Sequence, residues 1–409
     1  MRISTNQIYD QNIRAIMENQ KQLTATQESL STGKKLNRPS DDPVGAASVV
    51  RLTEQLDKIT QYQRNNDLLT NALEEQEAVL NNMSESLRRA RTLVVQAGNG
   101  ILSEEDQGAI GKELEQIRNE VLDLMNTQDA SGNFIFAGYQ SQQQAFTFNP
   151  AASGNAITFS GDSGTTSVKL SDSVTVQRSS SGLEVFENVF ARHNFSVTGS
   201  SAGANVTTAK VAEQGTFDQF FDNNYDAVTP ANNNYQLEVL GSGQVQLTNL
   251  GTSAVVGAVD FTSGEPFTIK GMTFTVNATV GETVDFSLNT PEKKNVAETL
   301  NDIANQLMDD SLNGDALESA LADALVGLDN GMETINLERS SLGGRLNIAE
   351  SIYETNLDLE LTAKDAKANI VETDYAEAST EFAKQEAALS AALATFPRVS
   401  GLSLFDYIG

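Results

Sequence analysis

Residues 30–47 read LSTGKKLNRPSDDPVGAA, a break between two segments whose apolar spacing is otherwise helical. Gly33 allows the left-handed residue that ends a helix, and Lys34 and Lys35 suit the negative end of the helix dipole. Pro39 disfavours helical geometry at Arg38. Asp42 followed by Pro43 reads as an N-cap acceptor and then the residue best suited to the first helical position. The stretch is therefore a stop and a restart. Taken alone, it also fits an ordinary helix–helix loop.

On the N-terminal side, Ile16, Leu23 and Leu30 recur seven apart behind Ile13, which keeps a thin stripe on one helix face. Gln20 and Gln27 share the stripe's alternate positions, so this helix needs a partner to stay folded. On the other side, Leu52, Ile59, Asn66, Leu73, Leu80, Leu87 and Val94 form an unbroken heptad series, with Tyr62, Leu69, Met83 and Ala90 as companions and polar Gln55 and Gln76 between. From Val44 to Ala97 this predicts a rod about 80 Å long, the length of a coiled coil or long bundle. Gly98-Asn99-Gly100 ends it, and Ser103 opens a further helix to about Thr127.

From Gly132 to Leu288 the character changes. Thirteen of the 18 Phe lie in residues 141–290, among Gly, Ser, Thr and Asn, and the runs TSVKLSDSVTV (166–176), YQLEVL (235–240) and FTIKGMTFTV (267–276) read as strands. Lys270-Gly271 predicts a hairpin turn. Helix resumes after Pro291 in two short pieces, Ala297–Met308 and Ala316–Leu328. The chain is then periodic to its end, through Ile335, Leu342, Ala349, Asn356, Ala363 and Ile370, the interleaved Ile352, Leu359 and Ala366, and a last stripe of Phe382, Leu389 and Phe396. The fold class expected is mainly α with a β insertion: an antiparallel helical rod built from both chain ends, with a β-rich outer domain. The division is 1–40 with 364–409 as a terminal helix pair, 41–190 with 289–363 as the rod with some strands, and 191–288 as the insertion.

Composition narrows function. The formal net charge is −28, with 55 acidic and 27 basic side chains, which argues against nucleic acid and anionic membrane as partners. The imbalance is uneven: residues 1–40 hold six Lys/Arg and three Asp/Glu, whereas residues 291–409 hold eight and 22. With no Cys and a single His, thiol chemistry and multi-His metal centres are excluded. No apolar run is long enough for membrane insertion, and MRISTNQIYDQNIRAIMENQ lacks the continuous apolar stretch of a cleavable signal, which by itself points to the cytoplasm.

Candidate chemistry is sparse. GSGQVQ (241–246) sits in strand-like sequence with no helix following. The pairs Asp41-Asp42 and Asp309-Asp310 fall at helix ends, where acids cap. His193 reads as solvated beside a loop, and Asp222, Asn223, Asn224 and Asp226 read as a polar turn without calcium-loop spacing. No catalytic residue, cofactor or metal is expected. The last residues instead gather Phe396, Val399, Leu402, Leu404, Phe405, Tyr407 and Ile408, either as a docking surface or as a tail folded on its own domain.

LSTGKKLNRPSDDPVGAA resembles the N-terminal signature of bacterial flagellins and their hook-associated relatives, and YAEASTEFAKQEAALSAALATF with RVSGLSLFDYI resembles their C-terminal signature. The ending SLFDYI and GNFIFAGYQSQQQAF (132–146) favour a hook-associated relative at the hook–filament junction over filament flagellin. The resemblance covers roughly residues 1–190 and 285–409 and leaves the β insertion unmatched. It implies a non-enzymatic structural subunit, exported unfolded without a cleaved leader to the extracellular flagellum. The implied partners are the first hook-associated protein, flagellin, neighbouring copies of the chain and an export chaperone on the C-terminal tail. It implies an assembly interface pairing Ile13, Ile16, Leu23 and Leu30 with Phe382, Leu389, Leu393 and Phe396, extended by Leu404, Phe405 and Tyr407. It also makes Gly33, Pro39, Asp41, Asp42 and Pro43 an interdomain joint. Filament flagellin, a hydrolase carried on the insertion and a cytoplasmic coiled-coil scaffold are the alternatives.

Overall fold

The computed structural model describes residues 5–100, 102–309, 311 and 314–401, and side chains only inward of both outer ends. Helices α1 (Thr5–Thr32), α2 (Pro43–Ala97) and α3 (Glu104–Met125) come first, and α5 (Val296–Leu307), α6 (Gly314–Val371) and α7 (Tyr375–Gly401) come last. Between them lie strands β1 to β12 and the short helix α4 (Gln214–Asn224). The protein is mainly helical with a β-rich region between its helical ends.

The heptad reading holds in α2. Ile59, Asn66, Leu69, Leu73, Leu80, Met83, Leu87, Ala90 and Val94 are all buried, and each fully buried Leu contributes about 1.5–3 kcal/mol of transfer free energy. In α6 the line Ile335, Leu342, Ala349, Asn356 and Ala363 is buried, but the interleaved line is not core: Leu359 is 44% exposed. Ala316–Leu328 is no separate piece, since α6 runs unbroken for 58 residues. Ser103 caps α3 in a reciprocal capping box with Asp106.

Contacts divide the chain into two compact units. The first comprises residues 1–69, 168–176 and 347–409. Within it, Asn66 Nδ2 donates to the Ala349 carbonyl at 2.6 Å and Asn356 Nδ2 to the Leu170 carbonyl at 3.0 Å. Asn65 Nδ2 donates to the Lys169 carbonyl at 2.8 Å and the Tyr62 hydroxyl to Asp172 at 2.8 Å. The last three of these bonds hold residues 168–176 on the helices. The strand-like run 166–176 folds as a hairpin: β3 (Ser167–Lys169) pairs with β4 (Thr175–Gln177), and the Val174 N–H turns back to the Ser171 hydroxyl.

The second unit comprises residues 70–167 and 177–346. Here β1 (Phe146–Phe148) pairs with β2 (Ile157–Phe159). Strands β5 (Phe195–Ser200), β12 (Thr283–Leu288), β7 (Asn234–Val239), β8 (Gln244–Asn249) and β9 (Val255–Asp260) form an antiparallel sheet in that order. A second sheet orders β10 (Pro266–Ile269), β11 (Met272–Asn277) and β6 (Asn205–Val211). Lys270 and Gly271 turn the β10–β11 hairpin at φ 52° and 79°, as the two positive-φ positions of a tight primed turn require. The core between these elements is aromatic: Phe195, Phe217, Phe220, Phe221, Tyr235, Phe274 and Phe286. Helix α3 packs on α5, whose buried Glu298 accepts the Ala156 and Ile157 N–H groups at 3.1 and 2.7 Å. The 132–146 segment seats Phe136 and Phe146 against Phe186 at ring distances of 5.0 and 5.8 Å.

Candidate functional site

The stop-and-restart stretch is a structured joint inside the first unit. Gly33 sits at φ +71°, and its N–H closes α1 on the Ser29 carbonyl at 2.9 Å. A Cβ there would lie 2.9 Å from the Tyr375 hydroxyl, so the position demands glycine by backbone and by space. The Arg38 N–H donates to Asp41 Oδ2 at 2.8 Å while the Asp41 N–H donates back to the Arg38 carbonyl at 2.9 Å, which fixes the turn around exposed Pro39. Asp42 caps α2, accepting the Val44 N–H at 3.0 Å, with Pro43 at the first helical position. Gly45 is buried, and a Cβ on it would meet Asp42 at 2.3 Å and Ile370 at 3.4 Å.

The joint has a second half that the sequence reading does not contain. Position 364, the expected boundary, lies inside α6, and the C-terminal helices part at Glu372–Asp374. Lys34 and Glu372 form an antiparallel bridge: the Lys35 N–H donates to the Val371 carbonyl at 2.8 Å and the Thr373 N–H to the Gly33 carbonyl at 3.0 Å. Lys35 Nζ caps the end of α6 at the Asn369 carbonyl, 2.8 Å away, rather than the end of its own helix. Asp374 then caps α7 through the Ala376 and Glu377 N–H groups at 2.9 and 3.2 Å. Asp374 followed by Glu377 was the available signal, an N-cap acid ahead of an acidic first turn.

Beyond the joint, α1 packs along α7. Thr26 donates to Gln385 at 2.9 Å, so from the bridge outward the two helices run antiparallel. Ile13, Ile16, Leu23 and Leu30 on α1 are half-buried, as are Phe382 and Leu389 on α7. Leu393 is 53% exposed and Met17 65%. The side chain of Phe396, and Leu404, Phe405 and Tyr407, lie outside the described residues.

His193 is partly exposed, with 21% of its side chain open to solvent. Its ring stacks on Phe221 at 4.1 Å and Nδ1 lies 3.2 Å from Asp218. Asp222, Asn223 and Asn224 belong to the last turn of α4, while Asp226 gathers the Val228 and Thr229 N–H groups and the Asn232 amide. Hydrogen bonds from the Thr229 N–H, Asn232 and the Val228 N–H hold the Asp226 carboxyl below the usual range. Among the described residues no His/Asp/Glu group has metal-ligand geometry and no helix is long and apolar enough to cross a membrane.

Residues 3–141 match the model of the bacterial flagellin N-terminal helical region. Flagellar hook-associated protein 3 of Salmonella typhimurium LT2 is 35% identical over 146 residues, 36% of this chain and 46% of that protein, so the chain spans about half of that relative's length. Phase 1 flagellin of Salmonella naestved is 25% identical over 389 residues, covering 89% of this chain and 73% of the relative. The crystal structure of flagellar hook-associated protein 3 from Legionella pneumophila shares the fold at a TM-score of 0.58 and 22% identity, over 79% of this chain and 98% of that one.

Proposed function

We propose that this chain, whose residues 3–141 match the model of the bacterial flagellin N-terminal helical region, is a structural subunit of the flagellum, seated at the hook–filament junction. The supporting observation is the α1–α7 pair. It leaves its apolar stripe half-buried and Leu393 and Met17 open, so apolar area remains for neighbouring subunits to cover. Ile13, Ile16, Leu23, Leu30, Phe382, Leu389 and Leu393, with Phe396, Leu404, Phe405 and Tyr407 of the tail, are the residues assigned to that interface. Gly33, Pro39, Asp41, Asp42 and Pro43 are its joint, and residues 191–288 an insertion outside the contact.

In this reading the partners are the first hook-associated protein, flagellin and further copies of the chain, with an export chaperone on the tail before assembly. The chain acts outside the cell, as a construction element and not as an enzyme. Alignment over 89% of the chain with a filament flagellin favours a second reading, a subunit of the filament itself. Immunolabelling of intact flagella separates the two: a band at the distal end of the hook supports the junction, and label along the filament overturns it. Removing residues 382–409 abolishes incorporation while the second unit stays folded; a motile filament grown by that truncation overturns the assembly role.

A further inference from the structure

A groove of about 700 Å³ opens in the second unit between α4, the segment 188–193 and α6. Its apolar wall is unusual for a water-facing surface: Phe190 is 51% exposed and Leu337 65%, with Tyr225 and Val326 partly open beside them. The lining charge is of one sign. Asp218, Asp222 and Glu333 line the groove, and no Lys or Arg does. Asp218 is engaged by His193 and by Gln214 at 2.8 Å, whereas the exposed Asp222 and Glu333 carboxylates have no hydrogen-bond or ion-pair partner among the described residues. Beside the groove, Lys293 lies over the Phe190 ring at 5.1 Å and reaches Asn188 at 3.4 Å.

We propose that this groove docks a cationic segment of a partner polypeptide in which Arg or Lys alternates with aliphatic residues. Charge complementarity selects that occupant. Arg and Lys carry long apolar stems that lie along a hydrophobic wall while their heads reach polar groups at its edge. Leu337 and Phe190 supply the wall, and Asp222 and Glu333 the acceptors. Aromatic faces add attraction for cations, and Phe190 already carries one. The volume suits several side chains rather than a lone ion. An acidic or purely apolar segment would leave the two carboxylates desolvated and unpaired, at a cost in free energy.

The chain's one histidine makes the test direct, because His193 lines the groove and gives the only imidazole signal in the protein. The full-length protein is titrated with a capped heptapeptide of alternating leucine and arginine, and with a second peptide bearing glutamate in place of arginine. The expected result is a saturable shift of the His193 ring resonance with the arginine peptide alone. The variant pair Asp222→Asn with Glu333→Gln weakens the arginine peptide about tenfold, as loss of paired charges implies, and Leu337→Ser weakens it as well. No shift up to about 1 mM peptide, or unchanged affinity in the double variant, overturns the proposal. Equal binding of spermine that ignores Leu337→Ser overturns the polypeptide reading in favour of a simple polycation site.

Discussion

Substituting Gly33 by Ala perturbs the joint in two separable ways. The left-handed backbone at φ +71° costs a residue with a Cβ about 1–2 kcal/mol. The added methyl also sits 2.9 Å from the hydroxyl of the exposed Tyr375, a contact that must relax at a cost of about 1 kcal/mol, the low end for overpacking. The sum, about 2 kcal/mol, corresponds to a roughly 30-fold rise in local opening of the bridge. Hydrogen exchange at the Lys35 and Thr373 amides reads it, since those two N–H groups close the bridge onto Val371 and Gly33. In a Tyr375→Phe background only the backbone part remains, so Gly33→Ala should then accelerate exchange about tenfold. Exchange in Gly33→Ala equal to that of the parent refutes the backbone reasoning. An effect undiminished by Tyr375→Phe refutes the contact.

Leu80→Ala, at a fully buried heptad position, lowers stability by about 2–5 kcal/mol, measurable as a shifted urea midpoint. Glu298→Ala strips the acceptor from two buried N–H groups, those of Ala156 and Ile157, and costs about 3 kcal/mol; Glu298→Gln, which keeps one acceptor oxygen, costs less in the same melt. Burial pushes the Glu187 carboxyl up and the Glu298 charge adds to this, against the hydrogen bond from Asn295. The folded protein therefore holds that proton more tightly than the unfolded chain, and stability falls as pH rises through the window between the ordinary and the raised value. Glu187→Gln removes that loss, so its Tm advantage over the parent appears above the window and vanishes below it; an advantage independent of pH contradicts the assignment.

Much of the helical architecture was legible because its signals are local and repeated. The heptads of α2 are long enough to outweigh any single polar member, and Gly33, Asp42 and Pro43 announce a break by backbone chemistry alone. The opposite half of the joint escaped because Val371–Asp374 contains neither Gly nor Pro, and a single capping aspartate in an acidic segment does not stand out. Helix α4 was hidden for another reason. Phe217, Phe220 and Phe221 have helical spacing, but they lie inside a region rich in Phe, Gly and Asn, where strand patterns dominate the reading. The same neighbourhood holds His193, whose stacking on Phe221 joins residues 28 positions apart; no local pattern encodes such a contact. Leu359 fails in the opposite sense. Its spacing fits a core line, yet it stays 44% exposed.

The bridge between Lys34 and Glu372 has a mechanical consequence. A helix hung from a single covalent thread swivels freely about that thread, because backbone torsions turn at little energetic expense. Two threads clamped side by side by a pair of backbone hydrogen bonds cannot swivel without shearing the clamp. Torque applied to α1 and α7 therefore passes into α2 and α6 as twist, and the neck between them behaves as a key in a slot rather than as a string.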